Sequence, residues 1–198
     1  MTAKKRAILK AATALFATQG YDATPVAQIA REAGTSEGAI FQHFKSKSNL
    51  LLSIFRGVRE RFFTDMDTML RFEPDESGLE TTMRLVKAYC RFYETREVEF
   101  DFVHRNNPYT MPAVGDPCRE EIQRIHDRMA EYLRIALTLG IRDGSIRPIN
   151  VDQTTLIVLG TITGAVRMRL FEDIHLTEIE EQVLVFTHNA LTAQEHTA

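Results

Sequence analysis

Cysteine is nearly absent from this chain of 198 residues: only Cys90 and Cys118 occur, far apart and without the spacing of metal ligands. That excludes a disulfide framework and a clustered zinc site, and it reads as two free thiols in a reducing cytoplasm. No apolar run approaches the ~20 residues of a membrane span. The longest, LIVLGTITGAV at 156–166, is too short and contains two threonines, so no membrane partner is expected. The basic N-terminus continues into an amphipathic helical pattern, which is not the layout of a secretory signal. Catalytic signatures are missing as well: no Gly-rich phosphate loop, no HExxH, no GxSxG, no Cys/His cluster. His104 with Glu97 or Glu99 would make an acid/base pair, but no third element accompanies it. The expectation is a protein that is not an enzyme and uses no cofactor and no metal.

What is present is helical. Hydrophobic residues make up 44% of the chain, enough for a real core, and no strand-like alternation, internal repeat or low-complexity tract interrupts the pattern. Charge is unevenly spread. Through residue 50, Lys4, Lys5, Arg6, Lys10, Arg31, Lys45 and Lys47 face only Asp22, Glu32 and Glu37, a net +4, whereas the whole chain carries −3. A basic head on an acidic body fits contact with nucleic acid through one end.

The head holds the most informative stretch, TPVAQIAREAGTSEGAIFQHFKSKSNL at 24–50. Thr24 before Pro25 predicts a capped helix start, with proline where its missing donor costs nothing. Val26, Ile29, Ala30 and Ala33 form one stripe, and Gly34 marks the stop. Ser36 predicts the next cap, with Ile40 and Phe44 on the inner face of a second short helix; Ser46 predicts the cap of a third. Before them, KKRAILKAATALFATQ at 4–19 shows a helical stripe of Ile8, Ala12, Leu15 and Phe16. Ile8, Leu15, Phe16, Ile29, Ile40 and Phe44 are the predicted shared core. A bundle this small is marginal alone and must lean on a neighbour.

The run ILKAATALFATQGYDATPVAQIAREAGTSEGAIFQHFKSKSNLL resembles the DNA-binding domain of the tetracycline-repressor (TetR/AcrR) family of bacterial transcriptional regulators. The matching elements are AA…LF…GY, T-x-V-x-x-IA-x-x-AG, S-x-G-x-[aromatic]-x-HF and SK…L, over about 45 contiguous residues. The resemblance implies an all-α fold of about nine helices. A helix-turn-helix domain would occupy 1–48, with the motif itself at about 24–44, and an effector-binding and dimerisation domain 49–198. It further implies that Thr24 reaches a phosphate and that Ser36 to His43 form the recognition helix. Ser36, Glu37, Gly38 and Ala39 would lie nearest the bases, Phe41 and Gln42 would follow, and His43 and Lys47 would meet the backbone. Phe41 stands where the family usually has a tyrosine whose hydroxyl meets a phosphate. Glu37 has two open readings, accepting from a cytosine amino group or favouring the helix dipole. Ser48 and Asn49 replace acidic residues common just after SK, which removes repulsion beside a phosphate.

Downstream, the pattern predicts a fourth helix to Leu70 and a polar break at EPDESG, 73–78. One or two helices follow from Leu79 to about His104, then a loop at 106–117 and a helix from Pro117 to about Leu139. Two last helices, 151–171 and about 176–193, complete the chain. Gly160 and Gly164, four apart, with Ile179, Val183 and Phe186 after them, are open to two readings: tight packing within the chain, or the homodimer interface that the resemblance implies. Met83, Tyr89, Tyr93, Phe100, His104, Tyr109, Met111, His126 and Arg167 are candidates for lining a small-molecule effector pocket. The expected partners are double-stranded DNA carrying a palindromic operator, a second copy of the chain, and an unidentified effector. A helical interaction module of the same fold that has lost DNA binding is the rival expectation.

Overall fold

The computed structural model describes residues 1–69, 75–111, 115–168 and 176–192. Among them are nine helices and no strand: α1 (Ala3–Gln19), α2 (Val26–Glu32), α3 (Glu37–Phe44), α4 (Lys47–Met69), α5 (Gly78–Thr95), α6 (Glu97–Arg105), α7 (Gly115–Asp143), α8 (Val151–Met168) and α9 (Leu176–Leu191). Leu70, Glu73 and Pro74, and the far ends of the two last predicted helices, lie outside the described residues. Two compact units result, and neither is a continuous segment. The first joins Met1–Phe62 to Arg96–Ile125; the second joins Phe63–Thr95 to the residues from His126 onward.

In the first unit, Ile8, Ala12 and Phe16 of α1, Ile29 of α2, and Ile40 and Phe44 of α3 are buried together with Leu50, Leu51, Ile54 and Phe55 of α4. Leu15, expected in this core, is only half-buried; Ala12 and Ala17 take the inner positions of α1. The small bundle leans on α6, whose Phe102 ring lies 4.8 Å from Phe55 and 6.4 Å from Phe16. Its polar counterpart is Asn106, just past the end of α6 and wholly buried. The Asn106 amide donates to the carbonyls of Phe16 (2.9 Å) and Phe102 (2.7 Å), and its oxygen accepts from the Tyr21 N–H at 2.7 Å. Arg105 adds a bond to the Ala17 carbonyl. The last turn of α1, short of intrahelical partners, is thus capped by side chains 88 to 90 positions away.

In the second unit, α5 packs on α8 and α9, and α8 on α9. The α5 start is built from a reciprocal pair the sequence reading passed over. Ser77 accepts from the Glu80 N–H, while Glu80 accepts from the Ser77 N–H and hydroxyl. Asp143 and Ser145 accept from the next two amides, Gly78 and Leu79. Here α5 meets α7 backbone to backbone: a methyl group on Gly78 would sit 1.9 Å from the Gly140 nitrogen. Helix α7 begins before Pro117 and runs past Leu139 to Asp143. Gly140 does not end it, because that position is where the Ile146 side chain packs.

Candidate nucleic-acid interface

Local chemistry sets the turn between α2 and α3. Gly34 has φ +63, and a side chain there would meet nothing within 4 Å, so backbone conformation rather than crowding calls for glycine. Thr35 N–H reaches back to the Ala30 carbonyl (2.9 Å) and Gly34 N–H to Arg31 (3.2 Å), the paired closure of a helix ending in a left-handed residue. Ser36 then caps α3, its hydroxyl accepting from Ala39 N–H at 3.3 Å. Ser46 caps α4 in the same way, accepting from Asn49 N–H at 3.0 Å.

The result is a short helix with two distinct sides. Ile40 and Phe44 point into the core, whereas Ser36, Glu37, Gly38, Phe41 and Gln42 are exposed, and Ala39 and His43 are half-buried. Positions 37, 38, 41 and 42 recur at helical spacing, so they form one solvent-facing strip. Lys4, Arg6, Lys10, Arg31 and Lys45 are exposed elsewhere on the same unit. A capped helix N-terminus in a basic setting favours a phosphate, and small residues beside it let the helix approach a groove floor.

Two residues expected to contact phosphates also bond within the protein. Thr24 is wholly buried; its hydroxyl donates to the Gly20 carbonyl at 2.6 Å and accepts from the Gln19 amide. It neither caps α2, which starts from the Pro25 carbonyl without a side-chain cap, nor offers its hydroxyl at the surface. The chain doubles back between α1 and α2, and Thr24 closes that turn from inside. Lys47 is half-buried, its ammonium donating to the Tyr21 carbonyl at 2.5 Å and lying 4.3 Å from the Tyr21 ring centre. Desolvation pushes its pKa below the usual lysine range, against the opposing pull of Asp22. One of its three N–H donors is therefore committed within the protein. The Tyr21 peptide group is held from both ends, by Asn106 through its N–H and by Lys47 through its carbonyl.

Comparison with known proteins finds the same motif. The model for bacterial regulatory proteins of the tetR family matches residues 8–54, from within α1 to the first turns of α4. The head is similar to the DNA-binding domain of tetR-family regulators. YhgD of Bacillus subtilis (strain 168), an uncharacterized HTH-type transcriptional regulator, is 28% identical over 156 residues, 79% of this chain and 78% of that protein. YerO of the same organism, also an HTH-type transcriptional regulator, is 51% identical over 103 residues; the match spans 52% of this chain but only 35% of YerO. Among solved structures, the transcriptional regulator FadR from Bacillus subtilis in complex with stearoyl-CoA superposes with a TM-score of 0.77. It is 22% identical, with 94% of this chain and 99% of that one covered. The match of the head and the HTH-type regulators among its relatives together support a DNA-binding transcriptional regulator.

Outside the head, the effector candidates fall in both units. Phe100, His104, Tyr109 and Met111 belong to the first; Met83, Tyr89, Tyr93, His126 and Arg167 belong to the second. Phe100 is buried and the His104 ring centre lies 3.9 Å from its own, tilted by 40°, with Nδ1 3.0 Å from the Phe100 carbonyl. Tyr109 is exposed and bonds Gln123, and Met111 is half-buried. Tyr89 and Tyr93 stand edge to face with their hydroxyls 2.8 Å apart, Tyr89 wholly buried; burial raises the pKa of both, that of Tyr93 to about 12. Met83 is half-buried, while His126 and Arg167 are exposed. Desolvation nevertheless lowers the His126 pKa, with Asp127 opposing.

On α8 and α9 the expected contact residues divide. Gly160 and Gly164 are exposed, with open space where a side chain would start, and Phe186 is 60% exposed. Val183, by contrast, is 5% exposed and packs inside the protomer, because it lies on the α9 face turned to the core; Ile179 is half-buried between the two faces. Leu156 and Ile157 on α8 and Val185 on α9 are exposed and were missed. Their signal was available: each belongs to an adjacent apolar pair, 156/157 and 185/186, wider than a single inward stripe requires.

Proposed function

We propose that this regulator is a cytoplasmic repressor, without enzymatic activity, that binds a palindromic operator as a homodimer and is released by a small-molecule effector. Residues 1–48 would carry recognition and 49–198 the effector response and self-association. The observation that carries DNA recognition is the strip Glu37, Gly38, Phe41 and Gln42, exposed behind the Ser36 cap of α3 in a basic head. Self-association draws support from exposed Leu156, Ile157, Val185 and Phe186 beside the open Gly160 and Gly164. Isolated surface leucines are ordinary, but a row along two adjacent helices marks an interface. A two-fold dimer would present two copies of α3 to successive major grooves, the geometry a palindrome requires. Because the similar FadR was solved with stearoyl-CoA, long-chain acyl-CoA is the effector class to test first.

Selection of bound duplexes from a random pool by the full chain tests the reading. Enriched duplexes should be palindromic, affinity should fall steeply with salt as counterions are released, and sedimentation should give two chains per complex or a multiple of two. Enrichment of no duplex would favour the helical adaptor instead. Release of the selected duplex by stearoyl-CoA, but not by coenzyme A alone, would fix the effector class.

A further inference from the structure

Phe41 is a large apolar side chain left 44% exposed in the middle of the α3 strip. Its neighbours there are Glu37, one turn before it on the same face, and Gly38 and Gln42, while Ile40 and Phe44 serve the core from the opposite side. Space beside it is open: a methyl group on Gly38 would meet nothing nearer than the Ser36 hydroxyl at 4.0 Å. A phenyl ring has no donor, so it cannot hold a phosphate oxygen as a tyrosine could. On a helix that enters a major groove, such a ring gains free energy only by covering apolar surface. The one apolar group projecting from the base edges of that groove is the C5-methyl of thymine.

We infer that Phe41 reads a thymine methyl in each half-site, making it a specificity residue rather than a backbone contact. This rests on the DNA-binding reading above. Gly38 supplies the clearance that lets the ring reach the base edge, and Lys45, exposed one turn further on, stays at the groove margin with the phosphates.

Replacement of thymine by deoxyuridine removes the methyl and leaves every hydrogen-bonding group in place, which gives a direct test. Duplexes are first selected with the full-length wild-type chain, and each thymine of the selected half-site is then replaced singly. One position should lose affinity about fourfold, the effect of burying a single methyl group. In Phe41→Ala the thymine and deoxyuridine duplexes should bind equally, while Phe41→Leu should keep part of the preference. Both variants change an exposed side chain, and the equality is read within one variant, so a general loss of affinity does not imitate it. The inference is overturned if no thymine shows a methyl effect, or if Phe41→Ala keeps the wild-type ratio. Failure to enrich any duplex would instead bring down the DNA-binding reading itself, and the inference with it.

Discussion

Truncation of Asn106 should markedly destabilise the first unit, and the size follows from its hydrogen bonds. In Asn106→Ala the Phe16 carbonyl keeps the Gly20 N–H at 3.1 Å, and the Phe102 carbonyl keeps the backbone N–H of position 106 at 3.0 Å. The Tyr21 N–H keeps no partner among the described hydrogen bonds. One stranded, part-buried donor costs ~1–3 kcal/mol, and each weakened carbonyl about 0.5 kcal/mol more, so ~2–4 kcal/mol is expected in all. With a urea slope of about 2 kcal/mol per molar, the midpoint should fall by ~1–2 M at fixed protein concentration. Asn106→Asp separates this account from simple cavity loss. The carboxylate still accepts from Tyr21 but places its other oxygen against two carbonyls, so the folded state disfavours its charge and its pKa rises above the unfolded value of ~3.9. The damage is then full at neutral pH and relieved as pH falls through the raised pKa, when the protonated acid donates one bond. A midpoint shift under ~0.3 M for Asn106→Ala, or an Asn106→Asp variant that gains nothing on acidification, would refute the reasoning.

Further outcomes follow from other named contacts. Gly78→Ala should prevent normal folding or cost over ~3 kcal/mol in thermal or urea melts, because the added methyl meets Gly140 backbone rather than a movable side chain. Gly160→Ala and Gly164→Ala, with nothing within 4 Å, should leave each protomer as stable or up to ~1 kcal/mol more so. Phe186→Glu should weaken self-association in sedimentation without changing the helical circular dichroism. Burial pushes the Cys90 thiol up to about 12 and the Cys118 thiol to about 11. Neither should react with a thiol reagent at pH 8 in the folded state, and both should react in denaturant. Lys47→Met should lower the melting temperature as well as duplex affinity, since its bond to the Tyr21 carbonyl is internal; an unchanged melting temperature would restore a purely phosphate-binding role.

The parts of the fold legible in the sequence are those whose causes are local. Gly34 and Ser36 terminate and restart helices through bonds spanning three to five residues, and such signals survive without knowledge of the tertiary path. The internal bonds of Thr24 and Lys47 were not legible, for the opposite reason. Both look like surface phosphate ligands until the Gly20 and Tyr21 carbonyls are brought to them by the fold of the α1–α2 turn. Asn106 carried no local signal at all, since its partners lie across the chain. The two last helices show a third situation. Apolar residues at Val158, Ile162 and Val166 suffice to bury one face of α8, yet Leu156 and Ile157 lie outside that stripe and remain exposed. On α9, Val183 and Phe186 satisfy the same three-residue spacing but point to different places. When a helix is apolar around more than half its circumference, periodicity no longer selects the inward face. The excess is then itself the signal, because a stripe too wide for one neighbour implies two.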